Sequence, residues 1–555
     1  EAMRLATGRL SPNQLSLVER QQLLGFPGAA STDLIRFERR VFPPGGNATI
    51  TIQPPAIPPP LVGAPRTRAD IGAVERRSGL PELSTGGDTI DASGRGVVIA
   101  AGLGGDPFDG IVISSDGNSV RGLHLRNFNA GLVVTGEADG NVVGGTGPTD
   151  GNQLVSNIAG LVVTGPGAHD NRVIGNDIGV DRAGKPEGNA TYGVLITAGA
   201  TGNVVGEASA PNVLSANFLD GVAVLGEGSR DNRIVANRIG TNLAATESIP
   251  NGTGVVVASG ASGTVVGGPG SDGNIVSGNV AEGIWIQSTG TRGTVVQGNT
   301  VGAAADGTTP LANGGAGILV SDGARGSLIG GTAPGEGNRV AFNGEAGVRV
   351  RGGSTVRHAI RGNSITENAG PGIHLDDGGN QSLVAPVITM VDTSSVEGVA
   401  PAGSMVEVFS DAGDEGAILE GVARAASDGR FRLDKMMPLG GPRLNATATD
   451  ALGNTSEFGG VGPEPPTATA SPISTAGPSP TPTSHLRGRL YMPFLLKDKT
   501  LFTRLRLNPA ASTVAVGTIQ TLELRVLGAE HLYGSQIAMT FDPLRLEVID
   551  EDPAI

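Results

Sequence analysis

Apolar and polar positions in the middle of the chain follow one phrase: a small residue, usually Gly, then apolar–x–apolar. Its first apolar members are Ile111, Leu132, Leu161, Val194, Val222, Val255, Ile284, Ile318, Val348 and Ile373. They stand 21, 29, 33, 28, 33, 29, 34, 30 and 25 residues apart. From Leu132 to Val348 shorter and longer steps alternate, a double unit near 62 residues. Asn176, Asn237, Asn299 and Asn363 keep the same beat, at steps of 61, 62 and 64. So do the turn glycines Gly144, Gly206, Gly267 and Gly330, at 62, 61 and 63. Three phrases on one beat define a repeat architecture.

Within each repeat, short β-branched runs are separated by Gly, Asn and Asp, and no helix-period stretch intervenes. Consecutive strands without a crossover helix predict a parallel β-solenoid, each coil stacked on the last. The flanking apolar residues of each phrase then face inward and the middle residue faces out. About ten coils at about 4.8 Å per rung make a rod of roughly 48 Å. The recurrent Asn residues fit either an amide ladder within a turn or left-handed turn positions.

The flanks read differently. Residues 1–96 are less regular, with strands expected at 34–37 and 48–53, and are assigned as an N-terminal β cap. The solenoid is assigned to 97–385. Alternating runs at 405–409, 430–433 and 445–449 predict a small antiparallel β-sandwich over 386–460. Residues 461–500 are a Pro/Thr-rich linker, and 501–555 open a second β pattern.

Composition narrows the class. With 90 Gly, 36 Pro and 17 aromatic residues, the core must be aliphatic, and the glycines lack the three-residue period of collagen. The charge balance, 39 − 53 = −14, without a basic stripe, argues against nucleic acid and against anionic membranes. No apolar run approaches a membrane span. Zero Cys excludes disulfides and thiolate chemistry. The chain opens at Glu1 and reads as a fragment, so a missing signal peptide carries no meaning.

The segments "GNQLVSNIAGLVVTG", "NRIVANRIG" and "GNIVSGNVAEGIWIQ" resemble the right-handed parallel β-helix repeats of the pectin-lyase-like superfamily. That resemblance implies the fold, not a reaction. "EAMRLATG", "TDLIRFERRVFPPGGNATITI" and "GGDTIDASGRGVVIAAG" resemble the region downstream of the Cys-Ser-Leu-Arg-Glu-Ala motif in bacterial surface proteins; only the motif's final Glu1-Ala2 is present. "ATATDALGNTSEF" is similar to the last strands of bacterial Ig-like modules. The segment from Thr513 to Pro553, with Val516-Gly517, Leu532-Tyr533-Gly534 and Phe541-Asp542-Pro543, resembles the first strands of a cohesin domain, here truncated. Together these imply an exported or cell-surface bacterial protein, with a dockerin-type protein as a partner.

Candidate chemistry lies on the outward row: Val112, Val133, Val162, Leu195, Ala223, Val256, Trp285, Leu319, Arg349, His374. A row so apolar is either a docking strip or a face covered by loops or by the N-terminal region. Trp285 with Gln287 is the sugar-stacking candidate, a flat ring beside an amide. Arg349, Arg351, His374 and Asp376 form the fallback catalytic set, because β-helix lyases use Arg or Lys as base and carboxylates for Ca²⁺. Asp376-Asp377 resembles the paired carboxylates of glycoside hydrolases, although adjacent strand residues point to opposite faces. The simpler alternative is an Arg351–Asp376 cross-coil ion pair. His124, His169, His358, His485 and His531 are scattered without ligand spacing. Asp411, Asp414 and Glu415 make an acidic turn, read as solvated; Ca²⁺ is the one cofactor it would admit.

The expectation is therefore an all-β, non-catalytic extracellular or cell-surface protein for polysaccharide binding, adhesion or scaffolding, with a cohesin-like assembly module. Its partners would be a polysaccharide or surface glycan and a dockerin-type protein, with no nucleic acid. The alternatives are a carbohydrate-active enzyme on the β-helix face (polysaccharide lyase, glycoside hydrolase or epimerase) and a passive spacer.

Overall fold

The computed structural model describes residues 14, 32–44, 46–54, 78–102, 107–392, 394–435, 442–461, 504–508 and 523–527. Three parallel sheets of 11, 11 and 10 strands run the length of the solenoid, and each strand pairs with the equivalent strand one coil on. The chain is a right-handed parallel β-helix followed by a β-sandwich. The first and second sheets start at Leu34–Arg36 and Ala48–Ile52, which pair in parallel with Thr89–Asp91 and Val97–Ala101. The region assigned as a cap thus already contains coil strands, and the solenoid begins before residue 97. Among the described residues no helix is long and apolar enough to cross a membrane.

The third sheet starts at Ile111–Ile113 and ends at Ile373–Asp376. Its inward pairs are sealed: Ile284 and Ile286, like Val255 and Val257 below and Ile318 and Val320 above, have 0% exposure. Side chains from all three sheets merge into one aliphatic core. Each fully buried Val, Leu or Ile contributes about 1.5–3 kcal/mol of transfer free energy, so no single rung dominates. Rings enter at the two ends: Phe108 and Phe128 meet edge to face at 5.6 Å near the start, and Phe458 of the sandwich packs against the last coil.

Three columns of buried polar residues run up the corners. Between the first and second sheets, Asn152, Asn176, Asn212, Asn237, Asn274, Asn299, Asn338 and Asn363 each pass an amide hydrogen bond to the next, at 2.9–3.0 Å. Between the second and third, Asn157 hands on through Asn189, Asn217, Asn251, Asn279, Asn313 and Asn343 to Asn368. Leading into the first sheet, Asn118 to Asn232 do the same; the column then changes to Thr264, Thr294 and Ser327, whose buried hydroxyls lack partners. These Asn residues keep negative φ, so amide stacking rather than left-handed turning accounts for their beat. The turn glycines belong to the same device. Gly267 has φ +82°, and a Cβ there would lie 2.1 Å from the Gln297 carbonyl and 2.3 Å from Asn299 Oδ1.

The double beat has a simple origin. After Gly144, Gly206, Gly267 and Gly330 the corner carries a loop (145–151, 207–211, 268–273, 331–337), whereas the intervening coils turn tightly through single residues such as Gly175. Those tight coils instead carry a longer excursion before the third sheet, closed by bridges Val180–Pro186, Thr241–Ser248 and Ala303–Pro310.

The sandwich packs two three-stranded antiparallel sheets around Ile388, Val396, Val406, Val408, Phe431 and Ala446. Its polar side chains close the last coil. Glu407 accepts the Gly362 N–H at 3.0 Å and pairs with Arg361, and Glu415 takes both the N–H and the side-chain amide of Asn368, ending that ladder. Thr455 accepts the Ile360 N–H, and Glu457 that of Leu375 at 2.8 Å. Open edges of parallel strands are thereby satisfied. In the second compact unit, 466–555, Arg504–Asn508 pairs antiparallel with Glu523–Leu527. The linker beyond 461 and the rest of the cohesin-like segment lie outside the described residues.

Candidate functional site

The expected outward row exists in register: the pairings run Val112, Val133, Val162, Leu195, Ala223, Val256, Trp285, Leu319, Arg349, His374. It is not an open strip. Val133 and Ala223 have 0% exposure, and Val112, Val162, Val256 and Leu319 are also buried. Val112, Val133 and Val162 form a small outer cluster with Ala130 and Ala159. The covered reading of this face therefore holds for most of its length. Among the apolar members Leu195 and Trp285 are the exceptions, and Trp285 is the aromatic one. It stays partly exposed between sealed Ile284 and Ile286, and its indole N–H donates to Ser321 Oγ at 3.0 Å. Ser321 in turn donates to Asp322 at 2.6 Å, so the ring's polar edge is fixed; Gln287 lies partly exposed two residues on.

At the end of the row the structure gathers the fallback set, with one correction. Backbone register sets Arg351 opposite Asp376, yet Asp376 is held by Arg349, whose Nε donates to Oδ2 at 2.6 Å. A long guanidinium reaches the diagonal neighbour, and Glu345, four residues back, steadies Arg349 from the other side at 3.2 Å. His374 sits between two carboxylates, Nε2 against Asp376 and Nδ1 against Glu457 at 3.1 Å. Glu345 and Glu457 were not anticipated. Neither had a local signal: Glu345 reaches Arg349 from the bend before the strand, and Glu457 arrives from the sandwich, 83 residues from His374.

Such an array can hold charge, and its carboxylates, imidazole and Arg349 engage one another. Arg349 is shared by two carboxylates and His374 by two, and Arg351 stands outside the cluster. Beside it, Pro371, Gly372 and Ile373 face Asp392, Arg443 and Glu457 of the sandwich across a cleft of about 1140 Å³. In the acidic turn expected to be solvated, Asp414 is exposed, but Asp411 and Glu415 are buried and Glu415 caps the last coil. Both Glu415 oxygens are engaged by Asn368, and Asp411 Oδ1 receives the Gly413 N–H.

Other titratable groups are shifted by burial. Desolvation raises Asp220 to about 7, Asp177 to about 6 and Glu415 to about 7. It lowers His358 to about 4, where Nδ1 accepts the Ser327 N–H and Nε2 donates to the Ala324 carbonyl, so this histidine is a neutral ladder member. A carboxyl raised on folding stabilises the fold below its unfolded pKa, and this contribution is lost as pH rises through the folded value. Asp220→Asn should therefore match wild type near pH 4 and exceed its stability increasingly up to pH 8, by about 4 kcal/mol at most. Denaturant melts of both proteins across that range check it; a constant difference would mean that Asp220 titrates normally. His169, expected to be isolated, meets Asp139 at 3.2 Å and Asp170 at 3.0 Å on the surface, an arrangement with the ligand types of a metal site.

No protein-family profile and no curated protein matches the sequence. Among solved structures, the chain is similar to the Dettilon tailspike protein gp208, at 15% identity and TM-score 0.37 over 68% of this chain and 78% of that one. It is also similar to the A-module of the Azotobacter vinelandii mannuronan C-5 epimerase AlgE6, at 14% identity and TM-score 0.27 over 60% of this chain and 91% of that one. A third is PfbA, a surface adhesin of Streptococcus pneumoniae, at 10% identity and TM-score 0.22 over 69% of this chain and 88% of that one. These likenesses are of fold alone, and the assignment of a parallel β-helix rests on the strand pairing.

Proposed function

We propose that this chain is a non-catalytic rod, working outside the cell or at its surface, that binds polysaccharide or a surface glycan in adhesion or scaffolding. The observation that carries this is Trp285. On a face that is mostly buried or ion-paired, with Leu195 the other partly exposed apolar member, one aromatic ring stays partly exposed, anchored by its neighbours and by Ser321, with Gln287 two residues on. A rigid ring with a fixed polar edge stacks on a sugar at little entropic cost. The saturated charges around Arg349 weigh against a lyase or hydrolase there. An assembly role with a dockerin-type partner rests on the cohesin resemblance alone.

Trp285→Ala should weaken retention on insoluble glycans about tenfold or more, with the thermal unfolding profile retained. Unchanged retention on every glycan that wild type binds would remove Trp285 from the reading. Turnover of a uronate polymer by wild type, lost in Arg349→Ala, would replace it with the enzymatic one.

A further inference from the structure

We propose that the corner leading into the first sheet is a self-association surface, on which two copies of this chain pair antiparallel about a two-fold axis at the coil of Arg230 and Asp231. Successive bridges align Asp139, His169, Thr201, Arg230, Ser262, Arg292, Arg325 and Val356 in one column. Asp116 stands one rung earlier, where its carboxylate accepts the Asp139 N–H and the Gly117 N–H donates to the Asp139 carbonyl. The next residue at each level gives a parallel column: Asp170, Gly202, Asp231, Gly263, Gly293, Gly326 and Arg357.

The corner therefore changes sign along the rod. Asp116, Asp139 and Asp170 occupy its first three levels, where His169 of the third level pairs with Asp139 and Asp170, and Arg292, Arg325 and Arg357 its last three of nine. The middle level carries both signs, Arg230 beside Asp231. A two-fold axis through that level sets Asp116 against the partner copy at the level of Arg357, Asp139 at that of Arg325 and Asp170 at that of Arg292. Arg230 meets the level of Asp231. Every match occurs twice, as an isologous interface requires.

The levels flanking the axis are small, Thr201 with Gly202 and Ser262 with Gly263, which lets two corners approach closely. The arginine end is shaped to receive side chains. Gly263, Gly293 and Gly326 floor a trough of about 450 Å³ walled by Arg292, Arg325 and Arg357. Among the described residues these three arginines form no ion pair, and their one side-chain hydrogen bond is from Arg292 to the Gly290 carbonyl at 3.4 Å. Elsewhere on the first sheet, Arg172 and Arg233 are matched within the chain, to Glu207 and Asp272. Like-charge matches also arise: Glu137 with Asp322, where the Asp322 carboxylate is already engaged by Ser321, and, at the axis level, exposed Glu227 and the Asp272-paired Arg233, each with its own copy. Nine levels at about 4.8 Å span about 38 Å, a narrow strip below standard interface size, so the dimer is weak, concentration-dependent and sensitive to salt.

Sedimentation of the full chain tests this. Wild type should show a concentration-dependent dimer in low-salt buffer that dissociates in high salt. Arg325→Glu and Asp139→Arg should each weaken association at least about tenfold, and the double variant, which restores opposite signs at both matched levels, should recover it. A chain monomeric at every concentration in low salt overturns the proposal, as does a dimer indifferent to the single reversals or a double variant that fails to recover. Binding of a linear polyanion by the arginines in a chain that stays monomeric overturns it too.

Discussion

Asn299→Ala lowers the unfolding free energy by about 3–5 kcal/mol, read as a shift in denaturant midpoint. The side-chain amide of Asn299 donates to the Val266 carbonyl at 2.9 Å, to Asn338 Oδ1 at 2.9 Å and to its neighbour Gln297. Its oxygen accepts the backbone N–H of Asn274 at 3.1 Å and the Asn274 amide at 2.9 Å. All but the Gln297 contact are buried, so truncation leaves several groups without water or partner and adds a cavity. Asn299→Asp should be no milder, because a carboxylate cannot donate to Asn338. If Asn299→Ala costs under about 1 kcal/mol, ladder hydrogen bonds do not stabilise the solenoid. The column leading into the first sheet supplies an internal comparison: Thr264 and Thr294 replace Asn there, and their hydroxyls go unpartnered.

Glu407→Ala should cost about 3 kcal/mol and loosen the sandwich from the last coil. Glu407 is 1% exposed, and its two oxygens serve Arg361 at 3.2 Å and the Gly362 N–H at 3.0 Å. Burial pushes its pKa up, against the Gly362 N–H and the Arg361 charge that hold it down, so the carboxylate depends on both partners. Removing it orphans a buried N–H and leaves the guanidinium unmatched. The measurement is limited proteolysis across the 383–387 connection together with a denaturant melt. Faster cleavage there with a lower midpoint is expected, and an unchanged cleavage rate would mean that the other caps, Glu415, Thr455 and Glu457, hold the junction alone.

Much of this was readable because a solenoid asks the same question at every coil. The inward pair must be aliphatic, so Ile284 with Ile286 and its equivalents announce themselves, and the middle residue's outward aim follows from the two-residue strand period. The Asn beat was equally plain, but its cause was not, since both a ladder and a left-handed turn repeat once per coil. The backbone angles decide between them. Leu34–Arg36 and Ala48–Ile52 were recognised as strands but not as coil members, because they lack the spacing of the later repeats. The closing contacts were hidden by distance: Glu407, Glu415 and Glu457 act on residues 45 to 83 positions away. Likewise, Arg349 rather than Arg351 takes Asp376, because side-chain reach, not backbone register, picks the partner.

The alternation of looped and tight corners makes two coils, not one, the interchangeable module of the rod. Insertion or loss of about 62 residues would return every glycine, amide and excursion to an equivalent neighbour, changing the length by about 9.6 Å without a new junction. A single-coil change would stack loop upon loop and leave Gly175-type corners without their flanking cover. Length variation among descendants of such a gene would then come in even numbers of coils.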